Sequence, residues 1–210
     1  MKSFSQITQT ELEKEFGVSI VGGKFLPEIE SFTIPSWLSH TLAYRRKSFA
    51  TMRSEKAISE ALIAPILMAV EEKYRDKITI FSGEALVTEE LSGICDFLIT
   101  KVPIAISPKS GYFILVESKK QDLFSGIPQC VAEMYAAQIL NGNDDTVYGC
   151  VSIGVEWLFI KLEGKTATID PTIFTITEVD KILGVFGWIV GLEEKMKNQS
   201  HQPHNPTKNT

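Results

Sequence analysis

The stretch YFILVESKK, residues 112–120, indicates the class of fold that we expect for this protein. Its first five residues are apolar and run directly into Glu117 and Lys119, as in a strand that starts inside a core. Because strand side chains alternate between the two faces of a sheet, Glu117 and Lys119 share one face. The simplest interpretation of the charged end is a strand that emerges into solvent.

Helix and strand patterns alternate on both sides of this stretch. We expect strands over residues 78–81, 94–99, 147–153 and 157–162, the last two as a hairpin around Gly154. We expect helices over residues 54–74, with Ser54 as N-cap and a kink at Pro65, over 127–140, and over 177–196. The predicted class is therefore α/β, with a single mixed sheet flanked by helices.

Length and composition favour one globular domain. The chain has 210 residues, of which 44% are apolar and 22% charged, so a sizeable core is available. We expect an N-terminal extension over residues 1–53 that packs on the core, a core domain over residues 54–197, and a polar, disordered tail over residues 198–210.

Several classes of protein are disfavoured. No apolar run is long enough to cross a bilayer, and the amino terminus lacks the apolar stretch of a signal peptide. The cysteines, which are Cys95, Cys130 and Cys150, are far apart and odd in number, which argues against a disulfide framework or a zinc site. We therefore expect no membrane association and a cytoplasmic location.

Two further acids stand in apolar surroundings. Asp96 interrupts the apolar strand around residues 94–99, and Glu60 interrupts the apolar helix segment AISEALIAPILMAV, residues 57–70. A carboxylate is costly to bury unless a cation pairs with it. Solvent exposure near the helix start is the plain explanation for Glu60, and an edge position or a partner arginine is the plain explanation for Asp96.

Taken together, Asp96, Glu117 and Lys119 favour phosphodiester chemistry. A hard cation such as Mg²⁺ takes one or two protein carboxylates and fills its remaining positions with water and substrate phosphate. Asp96 and Glu117, with the carbonyl of Ser118, would supply such a half-shell. A bound cation lowers the pKa of water, and a lysine with a depressed pKa can position and help to deprotonate that water.

The pattern of Asp96, twenty intervening residues and then Glu117-Ser118-Lys119 resembles the signature of the PD-(D/E)XK, or restriction-endonuclease-like, nucleases. The order of elements from Ser54 to Val151 is similar to the αβββαβ core of that superfamily, although Cys95 replaces its proline. The resemblance, to an uncharacterised bacterial branch, implies that Asp96 and Glu117 bind Mg²⁺ or Mn²⁺ and that Lys119 acts on the attacking water. It also implies that Glu60, from the preceding helix, and Gln129, at the start of the following helix, complete the site.

The implied substrate is nucleic acid, most simply DNA, and the charge pattern bears on that expectation. The net charge of −5 speaks against tight, nonspecific DNA binding but leaves room for a local basic groove. The dense basic cluster is Arg45-Arg46-Lys47, flanked by Tyr44 and Phe49, which offer faces for base stacking. A solvated loop is the plain alternative for this cluster.

Two alternatives to a nuclease stay open. One is a catalytically silent protein of nuclease fold that binds or regulates a partner, and the other is a small interaction protein whose acids form surface salt bridges. The glycines of the last helix, at 184, 187 and 191, indicate either a close crossing within the core or a face that pairs two copies of the chain.

Overall fold

The structure is a computed structural model that describes residues 1–108, 111–142 and 145–200. The strands are β1 (Lys2–Ser3), β2 (Ser19–Gly22), β3 (Thr79–Val87), β4 (Leu91–Thr100), β5 (Tyr112–Ser118), β6 (Val147–Ser152), β7 (Glu156–Glu163) and β8 (Thr166–Thr175). The helices are α1 (Gln9–Glu15), α2 (Ser36–Lys47), α3 (Glu55–Ile58), α4 (Ala64–Tyr74), α5 (Ile127–Asn141) and α6 (Val179–Ser200).

All of these strands belong to one mixed sheet, so the predicted α/β class with a single mixed sheet is confirmed. The strand order is β1-β4-β5-β6-β7-β8-β2, with β3 paired to β4. Strands β3, β4 and β5 pair antiparallel in succession, whereas β5 and β6 pair parallel and are joined through α5. A parallel pair needs such a crossover, because a tight turn can only reverse the chain.

The sheet is covered by helices on both faces. A cluster that includes residues of α1 and α5 packs on one face, and a cluster that includes residues of α2, α4 and α6 packs on the other. The rings of Trp157 and Phe159 both meet that of Phe186 edge-on in the second cluster. Burial on both faces explains why the central strands are apolar without alternation.

The helix expected over residues 54–74 is present, but it contains a π-helical turn. Ser54 caps it as expected, since its hydroxyl accepts a hydrogen bond from the N–H of Ala57 at 3.1 Å. Residues Ser59–Ile63 form the π turn between α3 and α4, directly before Pro65. Because proline has no N–H, Pro65 cannot donate the usual helical hydrogen bond to the preceding turn. The wider π turn lies where that hydrogen bond is missing.

Several elements lie outside the sequence-based expectations. Residues 1–53 contribute β1 and β2 to the sheet, and α2 lies in a segment that reads as loop in the sequence. The strand expected at 78–81 extends to Val87, and β8 was not predicted. Pro171 lies inside β8, at an irregularity in its pairing with β7, and a proline there masks the strand pattern.

The glycines of α6 are explained by packing within the chain at two positions. A Cβ at Gly184 would strike the backbone of Glu30, and one at Gly187 would lie 2.6 Å from the Tyr74 hydroxyl. The close-crossing interpretation therefore accounts for both, and a pairing of two copies stays a prediction.

Helix α6 continues to Ser200, so it includes the first residues of the expected tail, and residues 201–210 lie outside the described part of the chain. Among the described residues, no helix has the length and apolar character needed to cross a membrane.

Candidate functional site

The site begins where β4 and β5 lie side by side. The two strands pair antiparallel, with Phe97 opposite Val116, which brings Asp96 next to the end of β5. The Asp96 carboxylate accepts a hydrogen bond from the N–H of Ser118 at 2.8 Å. Asp96 is half-buried, whereas Glu117 is only 2% exposed. The two acids therefore lie on neighbouring strands, and Glu117 is no surface residue.

Strand β4 departs from strict alternation at Asp96. Strict alternation would place Cys95 on the face of Phe97, but Cys95 packs in the α5-side cluster with Leu98, while Phe97 packs in the opposite cluster. On the neighbouring strand β3, Gly83 lies between the two residues that pair with Phe97 and Cys95, and its φ is 71°. A left-handed glycine permits a local distortion of this kind, which turns the strand beside the candidate site.

Lys119 connects the strand to the following helix. Its ammonium donates to Glu117 Oε1 at 2.5 Å and to Gln129 Oε1 at 3.0 Å. Its stem lies against Gly126, where a Cβ would be 2.9 Å from the Lys119 Cγ and 2.6 Å from Val151. Glycine at 126 therefore provides the space in which Lys119 lies along the start of α5.

Helix α5 presents Gln129 and Glu133 to the strand. They lie one turn apart, on the same side of the helix, and the Gln129 amide donates to Glu133 Oε1 at 3.1 Å. Glu133 is completely buried. The structure thus brings together Asp96, Glu117, Lys119 and Gln129, and it adds Glu133, which lies one turn after Gln129 in a helix segment whose sequence spacing alone does not assign it to the site.

Burial and like charge perturb the acids. Burial, followed by the charge of Asp96, raises the pKa of Glu117 to about 7 against the opposing hydrogen bond and charge of Lys119. Burial likewise raises the pKa of Asp96, although the Ser118 hydrogen bond and Lys119 oppose that shift. An elevated acid pKa is what two neighbouring carboxylates without a cation should show.

The expectation of a depressed lysine pKa is wrong for this arrangement. Burial lowers the pKa of Lys119, but the hydrogen bond and charge of Glu117, followed by the charges of Glu55 and Asp96, outweigh it, so the net shift is upward. Lys119 is therefore a firmly charged ammonium, suited to donating hydrogen bonds and stabilising anions.

The structure separates Glu60 from these residues. Its carboxylate is 69% exposed and pairs with Lys56 across 3.9 Å on the helix surface. The helix acid whose charge acts on both Asp96 and Lys119 is Glu55, in the first turn of α3. The plain explanation for Glu60, solvent exposure near the helix start, is the one that the structure bears out.

The fit of the site to a cation rests on its oxygen atoms. Within the described residues, no group of three or more histidine, cysteine or acidic side chains is arranged to hold a metal ion. Among those residues, however, Glu117 Oε2 is a buried oxygen without a hydrogen-bond partner. One such carboxylate beside a half-buried Asp96 meets the modest requirement of Mg²⁺, which takes one or two protein carboxylates with water.

The basic cluster lies at the same end of the sheet as Lys119. Arg45, Arg46 and Lys47 form the last turn of α2, so they belong to a helix end and not to the loop of the plain alternative. Arg46 and Phe49 line a pocket of about 460 Å³ together with residues 155, 156 and 175–177. Val155 follows the end of β6, and β6 lies parallel to β5, with Ser152 opposite Ser118.

Comparisons of the sequence with protein-family profiles and with curated proteins find no match.

Proposed function

We propose that this protein is a Mg²⁺-dependent nuclease that hydrolyses phosphodiester bonds in DNA or another nucleic acid. The observation that carries the proposal is the meeting of Asp96 and Glu117 on neighbouring strands beside Lys119, with Glu117 buried and one of its oxygens unpartnered. Burying a carboxylate with an unpartnered oxygen lowers the stability of the fold, so its presence is better explained by a function than by packing. Acids with perturbed pKa values cluster at active sites.

The arrangement of elements supports the same proposal. From α3 to β6 the order is helix, three antiparallel strands, helix and a strand parallel to the third, which is similar to the αβββαβ core of the PD-(D/E)XK nucleases. The candidate acids lie on the second and third of these strands, as the resemblance implies. Fold resemblance raises the expectation of a nuclease, and the site residues carry the chemistry.

The proposed cation ligands are the carboxylates of Asp96 and Glu117, with the Ser118 carbonyl between them. A bound Mg²⁺, or Mn²⁺, would supply neutralisation of phosphate charge and a water of lowered pKa. The Ser118 N–H holds Asp96 in place through one of its two carboxylate oxygens, which leaves the other oxygen for the cation.

Lys119 and Gln129 have distinct roles in this scheme. Lys119 donates to Glu117 and to Gln129, so its ammonium is held at the edge of the acid pair. As a charged donor it would orient the attacking water and stabilise the negative charge on the phosphate. Gln129 positions Lys119 by accepting one of its hydrogen bonds, and it holds Glu133 at the same time.

The substrate class is supported by the basic end of α2. This basic cluster, Arg45, Arg46 and Lys47, is exposed and lies at the end of the sheet where β5 and β6 finish. A nucleic-acid strand bound across this end would contact both the basic side chains and the acidic site. Such a local cluster attracts phosphates even on a protein of net negative charge.

A catalytically silent binding module is the second candidate. Lys119 neutralises Glu117 in the structure, and a protein of net charge −5 holds nucleic acid poorly outside its basic cluster. A silent member would keep the buried polar network for its fold and bind a partner without cutting.

A nuclease assay with matched variants tests the proposal. Single-stranded and duplex DNA and RNA are incubated with the full chain in Mg²⁺, in Mn²⁺ and in chelator. We expect cation-dependent cleavage that Asp96→Asn reduces by about a hundredfold or more, because a ligand is lost while an acceptor for the Ser118 N–H remains. Asp96→Ala should have the same effect on cleavage.

The matched control is Glu60→Gln, which neutralises an exposed helix acid outside the cluster. Its cleavage rate should equal that of the unsubstituted protein. Cleavage that survives both Asp96 substitutions would refute the site, and cation binding without cleavage of any substrate would favour the silent module.

A further inference from the structure

We propose that Glu133 supplies a further carboxylate to the cation site, from helix α5 rather than from the helix that carries Glu60. The inference deepens the proposed function and rests on it. Glu133 lies in the middle of α5 and is completely buried against the sheet. Glutamate is almost never fully buried without a charged partner, so its presence there needs an explanation.

The oxygen atoms of Glu133 and Glu117 show what is missing. Glu133 Oε1 accepts from Gln129, and Glu117 Oε1 accepts from Lys119. Within the described residues, the Oε2 atoms of both are buried and have no hydrogen-bond donor. Each acid thus has one satisfied oxygen and one open oxygen.

The open oxygens belong to carboxyl groups that face each other. Glu117 and Glu133 lie within hydrogen-bonding reach, but carboxylates only accept hydrogen bonds, so the contact is favourable only if something positive lies between them. That positive species is a proton or a cation. Two carboxylates from different elements would be enough for a hard divalent cation such as Mg²⁺, which takes one or two protein carboxylates and completes its shell with water.

The surrounding contacts hold the two acids in this position. Lys119 donates hydrogen bonds to Glu117 and Gln129, and Gln129 donates one to Glu133. These hydrogen bonds link the Oε1 atoms of the two acids in one chain and leave the Oε2 atoms free. The close packing of α5 on the strands fixes the helix: a Cβ at Gly149 would lie 2.8 Å from the Cys130 Sγ. Glu133 is therefore held beside Glu117, and a cation would bind between their open oxygens while Lys119 stays on Glu117 Oε1.

The test measures cation binding, not cleavage. Mn²⁺ is titrated into the full-length protein by calorimetry, with the melting temperature followed in parallel. For Glu133→Gln we expect Mn²⁺ affinity to fall about tenfold or more. Its melting temperature without metal should be equal or higher, because a neutral amide is less costly to bury than a carboxylate. Glu133→Asp keeps the charge but withdraws it by one methylene, so affinity should fall there too.

Glu60→Gln is the matched control and should bind Mn²⁺ with unchanged affinity. If either Glu133 variant folds and binds Mn²⁺ as tightly as the unsubstituted protein, while Asp96→Asn does not, Glu133 is a proton-sharing core residue and the inference is overturned, with the proposed function intact. If the unsubstituted protein binds neither Mn²⁺ nor Mg²⁺, both proposals fall together.

Discussion

At the scale of single residues, Lys119 is the group whose role the structure changes most. It is paired with Glu117, and its pKa is raised, so its positive charge opposes the binding of any cation at the same carboxylate. We expect Lys119→Met, which keeps the stem, to bind Mn²⁺ more tightly, because the competing charge is gone. Cleavage should fall by about a hundredfold or more, because the donor beside the phosphate is lost. Calorimetry and the nuclease assay give the two readouts.

Lys120→Met is the control for this pair of effects, since Lys120 is the exposed neighbour in the chain. It should leave both the cation affinity and the cleavage rate unchanged. Weaker Mn²⁺ binding in Lys119→Met would mean that the ammonium holds Glu117 in place for the cation, which is the opposite of competition.

At the scale of elements, Asp170 joins β8 to the segment that follows β2. Its buried carboxylate accepts from the N–H groups of Phe25 and Leu26, at 2.9 Å each, and of Thr172 at 3.0 Å. Asp170→Asn replaces one acceptor oxygen with a donor that faces an N–H. We expect it to lower the free energy of unfolding at pH 7 by about 1–3 kcal/mol, measured by urea denaturation.

The pH dependence of that difference has a definite sign. Burial raises the pKa of Asp170, but the three backbone donors outweigh it, so the folded pKa lies below the ordinary value of 3.8. The stability that the carboxylate contributes is therefore present above that ordinary value and is lost as pH falls through the folded pKa. The gap between Asp170→Asn and the unsubstituted protein should shrink from pH 7 to pH 3. A gap that stayed constant would contradict this, and exposed Asp76→Asn should show no gap at either pH.

At the scale of the whole molecule, the basic end of α2 and the acids share one end of the sheet. Substituting Arg45, Arg46 and Lys47 together with glutamine should weaken nucleic-acid binding and flatten its salt dependence, because fewer counterions are released, about 0.7–0.9 in slope for each lost phosphate contact. Stability should change little, since all three side chains are exposed. Binding isotherms across a salt series provide the measurement.

The control triple is Lys73, Arg75 and Lys77, which lie at the end of α4, near the start of β3 and the opposite end of the sheet. Glutamine at these positions changes the net charge by the same amount, so a general charge effect would flatten both slopes equally. An unchanged slope in the α2 triple would remove that cluster from the binding surface and leave the metal site untouched.

Periodicity in the sequence was enough to predict the α/β class, the strand that carries Glu117, and the helix over residues 127–140, which Gly142 closes with a φ of 71°. These features depend on residues two to four positions apart, which a sequence displays directly. Alternation also predicted that Glu117 and Lys119 share a face, which agrees with their ion pair, whereas the distortion at Asp96 did not follow from alternation.

Tertiary structure decided which of the remaining acids meet. Glu60 lies in a π turn, and one extra residue in a turn rotates the following helix by about 100° relative to a regular one, so its direction could not be read from spacing. Glu55 and Glu133 approach the site only because α3 packs against β5 and α5 packs against both β4 and β5. Contacts between distant segments depend on how whole elements pack, and no local pattern in residues 55 or 133 records that packing.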